Sequence, residues 1–166
     1  MEFRFAEESD CGLVLSFIRG LADYEKMSDQ VVATEELLRE WIFEKRKAEV
    51  LFVCADGIEV GFALFFHNFS TFLGRAGIYL EDLFVKEEYR GKGYGKALLK
   101  ELARIAVEEG CGRLEWCCLD WTQPSIDFYL SLERLDDSWT NLLCDMKTVI
   151  FNHIDIPEAY IMVLEK

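Results

Sequence analysis

Apolar positions along this chain recur at two different periods, and each run predicts an element. Across Glu2–Ala6, Phe3 and Phe5 alternate with polar neighbours, the two-residue period of a strand with one buried face. Leu13, Phe17, Ile18 and Leu21 then recur at three- and four-residue spacing, the stripe of an amphipathic helix for which Ser9 or Asp10 offers a cap. A second helix is expected to start at Thr34-Glu35-Glu36, where acids meet the positive end of the helix dipole. It carries Leu37, Leu38, Trp41 and Ile42 and should end before Lys47.

Three β-rich runs follow, Glu49–Ala55, Ile58–Asn68 and Ala76–Val85. Asp56-Gly57 supplies the positive φ of a two-residue hairpin turn between the first two, so the centre of the chain reads as an antiparallel meander. Gly91–Glu109 is helical, with Leu98, Leu102 and Ile105 on one stripe and Gly110 as a stop. Arg113–Leu119 reads as a strand and Ser125–Leu132 as a short helix, while from Trp139 onward the pattern leaves the form open, with strands expected. The order predicts an α/β (α+β) fold with a mixed central sheet flanked by helices. No repeat or linker is visible, and 166 residues suit one domain.

Composition changes this picture in few places. With 51% hydrophobic residues and 2 Pro, the chain is neither disordered nor collagen-like. A formal net charge of −13 disfavours nucleic acid and suits a cationic ligand, although a plainly solvated acidic surface would look the same. The six cysteines (11, 54, 111, 117, 118 and 144) form no CxxC pair and read as reduced core thiols, so no metal is expected. The start has neither a basic nor an apolar leader segment, and the longest apolar runs, Val50–Ala55 and Ala159–Leu164, are six residues. A soluble cytoplasmic protein with no membrane partner is the expectation.

The most informative stretch is Arg90-Gly91-Lys92-Gly93-Tyr94-Gly95-Lys96, three alternate glycines between a strand and a long helix. Glycine lets backbone amides wrap an oxyanion, and the helix start adds its positive dipole end, which together suit a diphosphate. The P-loop pattern fails, because Arg90 stands at its first glycine and Ala97 at its Ser/Thr. The dinucleotide pattern fails as well, since this is GxGxG rather than GxGxxG. Lys86, Arg90, Lys92, Lys96, Lys100 and Arg104 outweigh Glu87, Glu88 and Glu101 by three charges, a basic island in an acidic chain. The four-residue steps from Lys92 to Arg104 would equally be a solvated helix face balanced by Glu101 and Glu108.

The loop resembles the R/Q-x-x-G-x-G/A loop of the GNAT superfamily of N-acetyltransferases. More narrowly, Leu21–Met27, Val32–Leu38, Tyr79–Val85 and Pro124–Tyr129 are similar to the diamine (spermidine/spermine) acetyltransferase family and its bacterial relatives, and the likeness spans Met1 to about Leu132. The resemblance implies a mostly antiparallel GNAT sheet, acetyl-CoA as co-substrate, a small cationic amine as acceptor, and a homodimer. It implies coenzyme contacts at Leu83, Phe84, Val85, Arg90, Gly91, Lys92, Gly93, Tyr94, Gly95, Lys96, Thr122 and Ser125. Substrate contacts are implied at Tyr24, Glu25, Asp82, Asp137 and Trp139.

Acetyl transfer to an alkylammonium of pKa about 10.4 needs a carboxylate, direct or through water, to take a proton, and an acid for the departing thiolate. The resemblance puts Glu81 at the base and Tyr129 at the acid. On a strand, Glu81 and Asp82 face opposite ways, and burial among Tyr79, Leu80, Leu83 and Phe84 is expected for Glu81. The chain departs from the family at Thr122, where an asparagine is usual, and at Glu133, where a glycine is usual. A non-catalytic acyl-CoA-binding module, and acceptors of thialysine-like, aminoglycoside or protein-amine type, stay open.

Overall fold

The computed structural model describes residues 1–119, 121–132, 147–152 and 159–165. In chain order the elements are β1 (Glu2–Phe5), α1 (Cys11–Glu25), α2 (Glu35–Leu38), β2 (Glu49–Ala55), β3 (Ile58–Ser70), β4 (Arg75–Val85) and α3 (Tyr94–Glu108). There follow β5 (Arg113–Leu119), α4 (Gln123–Leu132), β6 (Lys147–Asn152) and β7 (Ala159–Glu165). This is the mixed α/β architecture the pattern predicts. Two compact units emerge, Met1–Phe66 with Glu81–Leu98, and His67–Leu80 with the described part of Leu99–Lys166, so β3, β4 and α3 each belong to both.

In the first unit β1 pairs antiparallel with β2, Phe3 opposite Val53, and β2 with β3, Val50 opposite Leu64. Asp56 and Gly57, with φ of 52° and 78°, make the expected two-residue turn between β2 and β3. The core gathers Val14, Phe17, Ile42, Val50, Phe52 and Phe62. Phe17 stacks on Phe62 at 5.1 Å and leans on Phe52 at 5.6 Å. Because α1 rests on those two rings, its buried face is turned from the expected stripe: Val14, Leu15 and Phe17 are buried, while Leu13, Ile18 and Leu21 are only half-buried. Phe5 is 47% exposed, since β1 is an edge strand, and its ring tilts against that of buried Phe65 at 6.5 Å.

Asp10, proposed as the cap of α1, makes no side-chain cap bond. Its carboxylate accepts from Arg4 Nη1 at 2.7 Å and from the Glu7 amide at 2.8 Å. Arg4 also donates to Glu59 on β3 at 2.7 Å and lies over the Phe52 ring, tying β1, β3 and the start of α1 together. Thr34 does cap α2, its Oγ1 accepting from the Leu37 amide at 3.3 Å. After Leu38 the helix widens into a π turn over Arg39–Glu44, with the Lys45 amide donating to Glu40 O at 2.8 Å, and it stops before Lys47 as expected.

In the second unit β4 runs parallel to β5 over Ile78–Leu80, β5 pairs antiparallel with β7, and β7 with β6. The tail whose form the sequence left open thus contains two strands. α3 buries Leu98, Leu99, Leu102, Ala103, Ile105 and Ala106, and Gly110, at φ 70°, stands just beyond it as expected. Among the described residues, no helix is long and apolar enough to cross a membrane.

Candidate active site

β4 ends at Val85, a single 3₁₀ turn spans Glu87–Tyr89, and the glycine loop leads into α3. Gly91 and Gly93 hold φ of 72° and 88°, and a Cβ built on either would meet nothing within 4 Å. Backbone conformation, not crowding, requires glycine there, and the loop presents an open surface. Gly93 O accepts from the Ala97 amide at 3.0 Å, so the helix starts at the loop, and its first amides lack intrahelical acceptors. That is the cradle a diphosphate would need.

Arg90 is tied down on three sides. Its Nε donates to Val85 O at 2.9 Å, and its guanidinium lies 4.5 Å from the Tyr24 ring centre and 5.2 Å from that of Phe84. A residue assigned to the coenzyme loop therefore touches one assigned to the substrate. Lys92 donates to Glu88 O at 2.9 Å and sits over Tyr89, which packs edge-on against Tyr94. Farther along the basic stripe, Arg104 pairs with Glu101 and Glu108, the solvated-face arrangement.

Three acids accompany this loop in the same unit: Glu25 closes α1, and Glu81 and Asp82 lie on β4. The strand alternation separates the last two, but Glu81 is exposed and Asp82 half-buried, so the burial expected around Glu81 falls on its neighbour. Burial first, then the charges of Glu81 and Glu25, push the Asp82 carboxyl up to about 7. Burial also pushes Glu25 up. None of the three forms an ion pair among the described residues.

Leu83, Phe84 and Val85 continue β4, half-buried, with Phe84 edge-on to Phe17 at 6.4 Å. Two glycines let the backbone close around Phe84. A Cβ on Gly20 of α1 would come 3.1 Å from its ring, and one on Gly61 of β3 would come 3.0 Å from its carbonyl oxygen.

In the second unit Tyr129 is buried on α4, its ring 5.4 Å from Trp116 of β5 and 5.1 Å from Phe128. Buried Thr122 precedes α4: its hydroxyl donates to Leu119 O at 2.8 Å, and its carbonyl accepts from the Ser125 amide at 2.9 Å. Asp137, Trp139 and Glu133 lie outside the described residues. Cys11, Cys54, Cys111 and Cys118 are buried and outside any disulfide among the described residues, whereas Cys117 is half-buried and accepts from the Tyr79 hydroxyl. One cluster was not foreseen: His67, Glu109 and Cys111 bring their ligand atoms within 4.8 Å of one another. The only sequence signal was an acid and a cysteine flanking the glycine that stops a helix.

The profile of the acetyltransferase (GNAT) family matches residues 17–133. The thialysine N-epsilon-acetyltransferase of Bos taurus is 42% identical over 142 residues, covering 80% of this chain and 83% of that protein. Spermidine/spermine N(1)-acetyltransferase-like protein 1 of Homo sapiens is 32% identical, covering 81% of this chain and 20% of that protein. Among solved structures, a ribosomal-protein-alanine N-acetyltransferase from Brucella melitensis biovar Abortus 2308 superposes with a TM-score of 0.66 at 22% identity, over 80% of this chain and 91% of that one, a likeness in fold.

Proposed function

This chain belongs to the GNAT acetyltransferase family, and on that footing we propose that it moves an acetyl group from acetyl-CoA to a primary amine of a small cation. The acceptor is a thialysine-like amino acid or a di- or polyamine. The observation that carries this reading is the set of Glu25, Glu81 and Asp82, none of them ion-paired among the described residues, on the elements that also carry Tyr24 and the glycine loop. A half-buried carboxyl raised to about 7, first by burial and then by its acidic neighbours, is relieved by an incoming ammonium group. The amine relatives named above support the same acceptor class.

The open cradle at Gly91 and Gly93 suits the coenzyme diphosphate, with Arg90, Lys92, Tyr94, Gly95 and Lys96 around it and Leu83–Val85 beside the acyl arm. The thioester supplies an activated acetyl group. Asp82 and Glu25, with Tyr24, hold the ammonium. Glu81, open to water, takes its proton and returns it to solvent, and Tyr129 donates a proton to the departing thiolate. Thr122 and Ser125, with Asp137 and Trp139, complete the assignments carried by the resemblance, together with a cytoplasmic homodimer.

The test is thiol release from acetyl-CoA by the purified protein against a panel of diamines, polyamines, thialysine-like amino acids, aminoglycosides and peptide amines. Turnover is expected with the first three classes. Coenzyme binding without turnover on any amine would favour the non-catalytic module.

A further inference from the structure

The end of α3 makes a second cluster whose chemistry acetyl transfer does not use. The helix closes with the Glu109 amide donating to Ile105 O at 2.9 Å, and Gly110, at φ 70°, turns the chain back so that the Cys111 amide donates to Ala106 O at 2.8 Å. That reversal sets Glu109 and Cys111 on either side of one glycine. From β3, His67 Nε2 comes 2.7 Å from Glu109 Oε2, and the imidazole, carboxylate and thiol ligand atoms all lie within 4.8 Å of one another. Cys111 is buried, whereas His67 and Glu109 are exposed, so sulfur forms the floor of a small site with nitrogen and oxygen at its open rim.

We propose that His67, Glu109 and Cys111 bind a zinc ion. One sulfur, one imidazole nitrogen and one carboxylate oxygen are the donor types zinc takes at about 2.3, 2.0–2.1 and 2.0–2.2 Å, and a tetrahedral ion would hold them roughly 3–4 Å apart. The sulfur must close on the other two ligands by up to about an ångström, the His67–Glu109 pair, now 2.7 Å apart, must open by roughly half that, and the open rim leaves the fourth position to water. A cation at this position favours the thiolate, the form that ligates metal, over the thiol. Binding forms the Zn–S bond, releases the thiol proton to solvent, shifts the imidazole proton from Nε2 to Nδ1, and replaces the His67–Glu109 hydrogen bond by two metal bonds. The ion staples the last turn of α3 to β3, and none of its ligands is assigned to acetyl transfer.

Chelator-stripped full-length protein titrated with Co²⁺ tests this directly. One equivalent should give the intense visible bands of a tetrahedral ion and a thiolate-to-cobalt charge-transfer band, with zinc displacing both and raising the melting temperature. Cys111→Ser should abolish the charge-transfer band. His67→Ala, at an exposed position that does not threaten folding, should weaken zinc by more than the ~10–100-fold typical of losing an outer-shell partner. Absence of binding, a charge-transfer band surviving in folded Cys111→Ser, or unchanged zinc affinity in His67→Ala would each overturn the site.

Discussion

Two carboxylate clusters lie in the same unit and differ by one arginine. Asp10 and Glu59 flank Arg4, each within 2.7 Å of its guanidinium, and both carboxyls are held below their ordinary range, first by those hydrogen bonds. Among the described residues Glu25, Glu81 and Asp82 have no such partner, and Asp82 is raised to about 7. The first group joins β1, β3 and the start of α1 and is finished when the chain folds. The second keeps unspent charge. On the proposed function, its cost to the folded state is the reservoir from which a cationic substrate draws affinity, and the contrast separates carboxylates that stabilise the protein from carboxylates that await a ligand.

The sharpest way to break this contrast is Glu81→Gln, which keeps the shape and removes the proposed base. At neutral pH kcat should fall by roughly 10²–10⁴, less at high pH where free amine is abundant. Superimposable pH–rate profiles would make Glu81 structural. Next, Asp82→Asn should raise KM for the amine about 10–100-fold, the worth of a hydrogen bond to a charged group, with a smaller change in kcat. It should act oppositely on stability. The folded carboxyl titrates near 7 and the unfolded near 4, so the native state holds the extra proton between them and wild-type stability declines as pH rises through that window. The variant lacks this slope and should melt higher than wild type at pH 8.

Arg4→Met should cost about 1–3 kcal/mol in urea unfolding at neutral pH. Values nearer the lower end are expected, because the Arg4 side chain is 35% exposed and solvent screens the pairs. Asp10 and Glu59 titrate low in the fold, so their stabilisation is present above about pH 4 and disappears as pH falls through their folded values. The gap between variant and wild type should therefore close in acid. The smallest shift in the midpoint of the KM–pH profile, a fraction of a unit downward, is expected from Glu25→Gln, which removes the weakest of the three influences on Asp82 in addition to its own contact with the ammonium.

Local signals were the legible ones. Asp56-Gly57, the Thr34 cap and Gly110 state their backbone demands in one or two residues, and the glycine loop declared its place between β4 and α3. What the sequence left unread depends on distant partners. Asp10 looked like a cap because nothing nearby reveals that Arg4 will take its carboxylate, and Arg4 and Glu59 are 55 positions apart. The π turn at Arg39–Glu44 has the same apolar spacing over so short a run as an ordinary helix. Which of Glu81 and Asp82 would be shielded could not be read from alternation, which separates two faces without saying which one is covered.

The pair of glycines around Phe84 has a consequence for how such a chain can vary. A single methyl group at Gly20 or Gly61 would press on the ring or carbonyl of Phe84, two and three positions along the strand from Asp82 and Glu81. The acidic side chains, by contrast, end in solvent or at a half-open surface, and exchanging them requires no repacking. On the proposed function, drift toward a new amine is therefore open by point changes at positions 25, 81 and 82, while the rail on which two of them ride admits almost none. A lineage descending from this chain could change its diet many times before it could change either glycine.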